Sequence, residues 1–301
     1  MHIYQTILKN LALAASLFFS VPSFAQQTKI PVIASFSILG DFVKNIGGER
    51  VSIETLVKAG ADAHVYSPTP QDAQKLAQAK VVFVNGLKFE GWMDRLIASS
   101  GTKASIITTT KGIVPQKTKG DHDHDHHGSD PHAWQDISNA KIYVANIRDA
   151  LVEADPAGKA VYEANTANYV TKLNVLETDV KLALAKIPAS KRKIITSHDA
   201  FGYFAKAYSI EFIAPQGIST EGEASAKDVA RIIRQIKAQK ITAIFSENIT
   251  DPRLIQRIAS ETGAKIGGTI FSDSLSDDKG KAAAYIDMVR HNVEQITQAL
   301  N

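Results

Sequence analysis

The chain has 301 residues, 44% hydrophobic and 22% charged, with a formal net charge of +3. That balance suits a globular protein with one large core or two modest ones and excludes a disordered or fibrous chain. The small charge, with no long basic run interleaved with aromatics, excludes a nucleic-acid binder, and the absence of cysteine excludes disulfides, thiolate metal sites and cysteine nucleophiles.

Residues 1–25 read as a secretory signal peptide. Lys9 is their only charge, Leu11–Ser20 is a short apolar run, and Ser23-Phe24-Ala25 places small residues at a cleavage site before Gln26. The run is shorter than the roughly 20 residues a membrane-spanning helix requires. With no cysteine to carry a lipid, the mature chain is expected in a periplasm as a monomer without a membrane anchor.

From Lys29 onward, short β-branched runs alternate with amphipathic stretches. Strands are predicted at Ile30–Ala34, Val51–Leu56, Val81–Val84 and Ser105–Thr108, with helices from near Ser37, Pro70, Glu90 and Asp136. The second half repeats the pattern, with strands at Ile194–Ser197, Phe212–Ala214, Ala243–Ser246 and Lys265–Thr269 and helices from Asp199, Ser225, Pro252 and Lys281. Such alternation predicts an α/β fold of two similar lobes, each a parallel sheet flanked by helices. Between them one long rigid helix is expected, with Asp155 as N-cap, Pro156 at the first helical position and Pro188 closing it. Its apolar residues Tyr162, Tyr169, Leu173, Leu176, Val180 and Ile187 recur in steps of three, four or seven, along one face. The implied division is an N-terminal lobe over 26–154, containing a histidine-rich loop over 117–129, a linking helix over 155–188 and a C-terminal lobe over 189–301.

The chain has nine histidines. His122, His124, His126 and His127 alternate with aspartates in a run whose composition offers many weak metal sites. His291 lies among Arg290, Asn292 and Glu294 on the last helical stretch and reads as a solvated surface residue. His64, His132 and His198 each follow a predicted strand, where sites in parallel α/β sheets lie. Three imidazoles suit a borderline divalent metal when a carboxylate offsets part of its charge. Asp273 follows a strand in the same way, although Asp277 and Asp278 are close by. Ser197-His198-Asp199 does not make a hydrolytic triad, because adjacent side chains diverge.

Four segments resemble the zinc and manganese substrate-binding proteins of bacterial ABC transporters: Asp62–Pro70 around His64, Asp130–Asp136 around His132, Ser197–Phe204, and Phe271–Leu275. The resemblance covers nearly the whole mature chain and departs from the family pattern at Ala63, Ser67 and Ile137. It implies that His64, His132, His198 and Asp273 are the metal ligands, and that the chain is a non-catalytic periplasmic binding protein delivering its ion to an inner-membrane ABC permease. A histidine at the third ligand position resembles zinc-type members, so Zn2+ is the expected cargo and Mn2+ the alternative. The histidine-rich run also resembles the metal loop of zinc-type members. A secreted zinc hydrolase, with three histidines and a water, is the rival from another class.

Overall fold

The computed structural model describes residues 28–117 and 128–301. The expected signal peptide and His122, His124, His126 and His127 lie outside the described residues. The first half runs β1 (Ile30–Phe36), α1 (Ser37–Gly47), β2 (Val51–Val57), α2 (Pro70–Gln78), β3 (Val81–Val84), α3 (Met93–Ser100), β4 (Ser105–Thr108) and α4 (Ile137–Ala154). Its four strands are parallel, in the order β2-β1-β3-β4. Helix α5 (Lys159–Ala185) follows. The second half runs β5 (Lys193–Ile195), α6 (Gly202–Tyr208), β6 (Glu211–Ile213), α7 (Ala226–Gln239), β7 (Ala243–Glu247), α8 (Arg253–Thr262), β8 (Lys265–Ile270) and α9 (Tyr285–Leu300). Its strands are also parallel, in the order β6-β5-β7-β8, so each sheet places its second strand outside its first.

Local chemistry accounts for several of these boundaries. Thr69 and Asp72 form a reciprocal capping box at the start of α2 with Pro70 in its first turn, Asp136 caps α4 through Ser138 N–H, and Ser225 caps α7 through Asp228 N–H. Strand β1 is buried at every position except Pro31, as expected for a strand covered on both faces.

Four helix starts differ from the sequence prediction, the first being α3, which begins at Met93 rather than near Glu90. Pro156–Gly158 form a 3-10 turn, so α5 begins at Lys159, and Asp155 does not cap it. Its carboxylate is taken instead by Arg50 Nε and Nη2, at 2.7 and 2.5 Å, and by the Tyr162 hydroxyl at 2.8 Å. Helix α6 begins at Gly202 rather than Asp199, because residues 198–199 are pinned to the following loop by a bridge from His198 to Gln216. Helix α9 begins at Tyr285 rather than Lys281.

With 27 residues, α5 is about 40 Å long at 1.5 Å per residue. All six residues predicted for its apolar face are buried. It packs on α1 and α4 from the first half and on α9 from the second, so it is a shared wall more than a free-standing strut. Asp41 on α1 joins three of these helices. It accepts from Tyr285 N–H at 3.0 Å and from the Tyr169 hydroxyl at 3.3 Å, and burial raises its pKa although these donors oppose the rise. One apolar core extends from the first sheet through α5 to α9, and a separate cluster of Ile195, Val229, Ile232, Ile236, Ile241, Ile244, Ile255 and Ile258 lies under α7 and α8.

The Asp155 cluster makes a stability prediction. Burial pushes the Asp155 pKa up, but hydrogen bonds from Arg50 and Tyr162 outweigh it and leave it lowered. A lowered carboxylate pKa stabilises the fold above the ordinary carboxylate range and loses that contribution as pH falls through the folded value. Asp155→Asn is therefore expected to cost about 1–3 kcal/mol in urea unfolding at neutral pH, with the gap to the parent chain narrowing on acidification.

Candidate metal centre

Each candidate ligand sits on a loop beyond the carboxyl end of a strand, and each loop is held by its own hydrogen bonds. Past β2, Asp62 Oδ1 accepts His64 N–H at 2.9 Å, and Trp92 Nε1–H donates to Ala63 O at 2.8 Å. Before α4, Asp130 Oδ1 accepts both the backbone N–H of His132 at 2.9 Å and its ring Nδ1 at 2.8 Å. Asn85 donates to Pro131 O at 2.9 Å, and Asn85 is itself fixed by Tyr143 and by the buried carboxylate of Glu90. Past β5, Glu247 Oε1 accepts the N–H groups of Ser197 and His198 at 2.8 and 2.9 Å, while Oε2 stands 2.6 Å from His198 Nδ1 as a charge contact. Past β8, Ser272 O accepts from Trp134 Nε1 at 3.0 Å and Gln135 Nε2 at 2.7 Å, which draws the Asp273 loop onto the first half of the chain.

These loops bring His64, His132, His198 and Asp273 together. All four are buried, and each offers a donor atom within 4.8 Å of the others. Asp273 Oδ2 lies 3.2 Å from His64 Nε2, 3.5 Å from His132 Nε2 and 3.1 Å from His198 Nε2, and the Nε2 atoms of His64 and His132 are 3.4 Å apart. A tetrahedral ion with ligands at about 2.1 Å has edges of about 3.4 Å, so the spacing suits one divalent cation. The other Asp273 oxygen, Oδ1, is buried with no hydrogen-bond partner. Phe89 closes one side, its ring centroid 4.7 Å from that of His64 and 6.0 Å from that of His132.

The electrostatics show a site that requires positive charge. Burial alone would favour neutral imidazoles, but for His132 the charges of Asp273 and Asp130 outweigh burial and push its pKa up to about 9. His198 is raised in the same way, with Glu247 ahead of Asp273 in opposing burial. Burial would raise Asp273, yet His132 and His198 hold it well below the usual carboxylate range. Protons on His132 and His198 and a dication are thus alternative ways to balance one buried carboxylate, so a metal entering here would displace those protons.

Other sequence candidates fall elsewhere. His291 Nε2 donates to Thr269 O at 2.9 Å and its ring lies against Phe271, away from the cluster. Asp277 stays in its own turn, accepting Lys279 N–H at 3.0 Å, and Asp278 is exposed. Ser197 Oγ accepts from Thr250 at 3.0 Å, and the two ring nitrogens of His198 face Glu247 and Asp273, so no serine–histidine–aspartate line exists. The sequence prediction missed Glu247, whose one signal is an acidic residue ending an otherwise apolar strand, and the orienting role of Asp130, which lay in view beside His132.

Residues 32–299 match the family model described as ZnuA, zinc-uptake complex component A, periplasmic. The chain belongs to this family. It is a metal-binding, substrate-binding component of a bacterial metal ABC transporter, the class that hands its ion to a membrane permease. It is 35% identical to the iron-binding protein YfeA of Yersinia pestis over 90% of this chain and 86% of that protein. It is 32% identical to the manganese-binding lipoprotein MntA of Halalkalibacterium halodurans over 90% of this chain and 89% of that protein. The periplasmic zinc-binding protein TroA of Treponema pallidum shares the fold with a TM-score of 0.85 at 28% identity, covering 91% of this chain and 99% of that one.

The names of these relatives correct one expectation. MntA and several streptococcal relatives are lipoproteins, against the expectation of a chain without a lipid anchor, and attachment is not to be read from this chain's lack of cysteine. An extracytoplasmic placement fits the family description. Among the described residues no helix is long and apolar enough to cross a membrane.

Glu247 provides a test of how the site is supported. Glu247→Gln keeps an oxygen for the two backbone N–H groups but removes the negative charge facing His198 Nδ1. Metal affinity measured by chelator competition is expected to fall about 10–100-fold, as for other outer partners of ligating histidines.

Proposed function

We propose that this chain captures Zn2+ outside the cytoplasm through His64, His132, His198 and Asp273 and delivers it to an ABC permease without catalysing a reaction. The observation that carries this is the enclosed set of three Nε2 atoms around one carboxylate oxygen at tetrahedral edge lengths. Nitrogen-rich, four-donor sites suit zinc, whereas manganese prefers more oxygen. Segment 26–154 supplies His64 and His132, segment 189–301 supplies His198 and Asp273, and 155–188 joins them. Because one chain provides every donor, a monomer suffices for capture.

A manganese carrier is the second reading, favoured by the unpartnered Asp273 Oδ1, which can add a fifth oxygen-rich contact to a larger ion. A hydrolase is less well supported, because Asp273 takes the position that an activated water would need. The run at 121–127 is read as an accessory collector on composition alone: its deletion should reduce uptake at limiting zinc, and unchanged uptake would remove that role.

The ligand set is tested by substitution with a distant control. Asp273→Ala and His198→Ala are each expected to weaken Zn2+ binding by more than the roughly 100-fold ceiling for an outer partner, while His291→Ala leaves it unchanged. An anomalous map at the zinc and manganese edges of protein purified without added metal identifies the ion. A manganese signal would replace the zinc assignment, and a water in place of Asp273 would reopen the hydrolase.

A further inference from the structure

Two sets of hydrogen bonds hold the four donors, and they do not follow the halves of the sequence. Asp273 comes from the second half, yet its loop is stitched to the first. Besides the bonds to Ser272 O, Ser37 Oγ accepts Leu275 N–H at 3.0 Å and stands 3.2 Å from Ser274 Oγ, and Gly60 N–H reaches Leu275 O at 2.9 Å. Helix α9, which follows this loop, shares its core with α5 and the first sheet.

His198 belongs to another unit. Its backbone is bridged to Gln216, Asp199 N–H donates to Gly217 O at 3.2 Å, and Gln216 Nε2 holds Thr220 O at 3.2 Å and Gly222 O at 2.6 Å, so residues 197–199 and the loop over 216–222 form one piece. Glu247 fastens that piece to β7. The units meet where β7 pairs with β8 as far as Glu247 and Ile270, and there Asn248 Nδ2 also donates to Ser274 O at 3.2 Å. The register of the two strands shifts between Ile244 and Ser246, and Gly268 has φ of 126°, a conformation that favours glycine.

Near the ligands, the His198 piece is joined to the first half by Thr220, whose hydroxyl donates to Asp62 Oδ2 at 2.6 Å, and by Tyr203, whose hydroxyl bonds Asp130 O at 3.2 Å and Gln116 N–H at 3.0 Å. Asp62 is the residue whose other oxygen holds the His64 backbone. The Thr220 contact lies on the wall of a solvent-accessible cleft of about 480 Å3 that Ser197, Gln216 and Thr250 also line.

We propose that the ion is released when the His198 piece withdraws as a unit from His64, His132 and Asp273, and that the Asp62–Thr220 hydrogen bond is the clasp that limits the rate. Asp62 and Thr220 are positioning residues that touch no ion. The inference rests on the metal-site reading above. Withdrawal along the cleft exposes His198 first and opens the fourth coordination position, where a competing ligand can enter and draw the ion away.

The test uses the full chain loaded with Zn2+, mixed with excess chromogenic chelator in a stopped-flow instrument. Thr220→Val is expected to raise the dissociation rate about tenfold with little change in the association rate, and Thr220→Ser to keep the parent rate because it retains the hydroxyl. Hydrogen exchange on the metal-free protein gives a reading independent of the ion. In Thr220→Val, amides of residues 197–200 and 216–220 should exchange faster while 272–275 do not. An unchanged dissociation rate, or residues 272–275 opening in the same step, would overturn the clasp. Failure of the parent chain to bind any divalent ion would instead overturn the metal-site reading.

Discussion

The structure turns on one buried carboxylate. Asp273 is fully enclosed, and its Oδ2 is approached by three imidazole nitrogens within 3.5 Å. A carboxylate withdrawn from water is costly unless positive charge accompanies it. Protons on His132 and His198 can supply that charge, and so can a divalent ion. A dication can meet all four donors at once, whereas each proton satisfies only one nitrogen.

That arrangement requires fixed rings. His132 is oriented by Asp130 at its Nδ1, and His198 by Glu247, so in both the Nε2 atom is directed toward Asp273. The same acids hold backbone N–H groups of the ligand loops, so ring and loop are set by a single anchor. Aromatic packing supplies the rest. Phe89 and Trp134 lie against the histidine rings, and the Trp134 N–H reaches across to the Asp273 loop. Water exclusion and loop position thus come from the same side chains, which links the stability of the fold to the geometry of the site.

Alternating β-branched and amphipathic runs are local, so the two four-stranded sheets and the helices between them were legible in the sequence. The boundaries that failed are instructive. Asp155 looked like a helix cap because aspartate before proline favours that role, but Arg50, distant in sequence, competed for its carboxylate and prevailed. Residues 199–201 looked like the start of a helix, but bridging to Gln216 was needed to set His198. In both places a long-range partner overrode a local preference, and the second lies at the site itself.

The sequence by itself determined the class of fold, the family motifs and the three histidines at strand ends, because periodicity and residue chemistry are written along the chain. The Phe271–Leu275 motif pointed to Asp273 over Asp277 and Asp278, and tertiary structure brings it to the histidines, because Trp134, Gln135 and Ser37 draw its loop across from the other half. Tertiary structure also decided the role of Glu247 and the grouping of Asp273 with the first half of the chain. Those are properties of contacts between residues far apart in sequence, which no local pattern encodes.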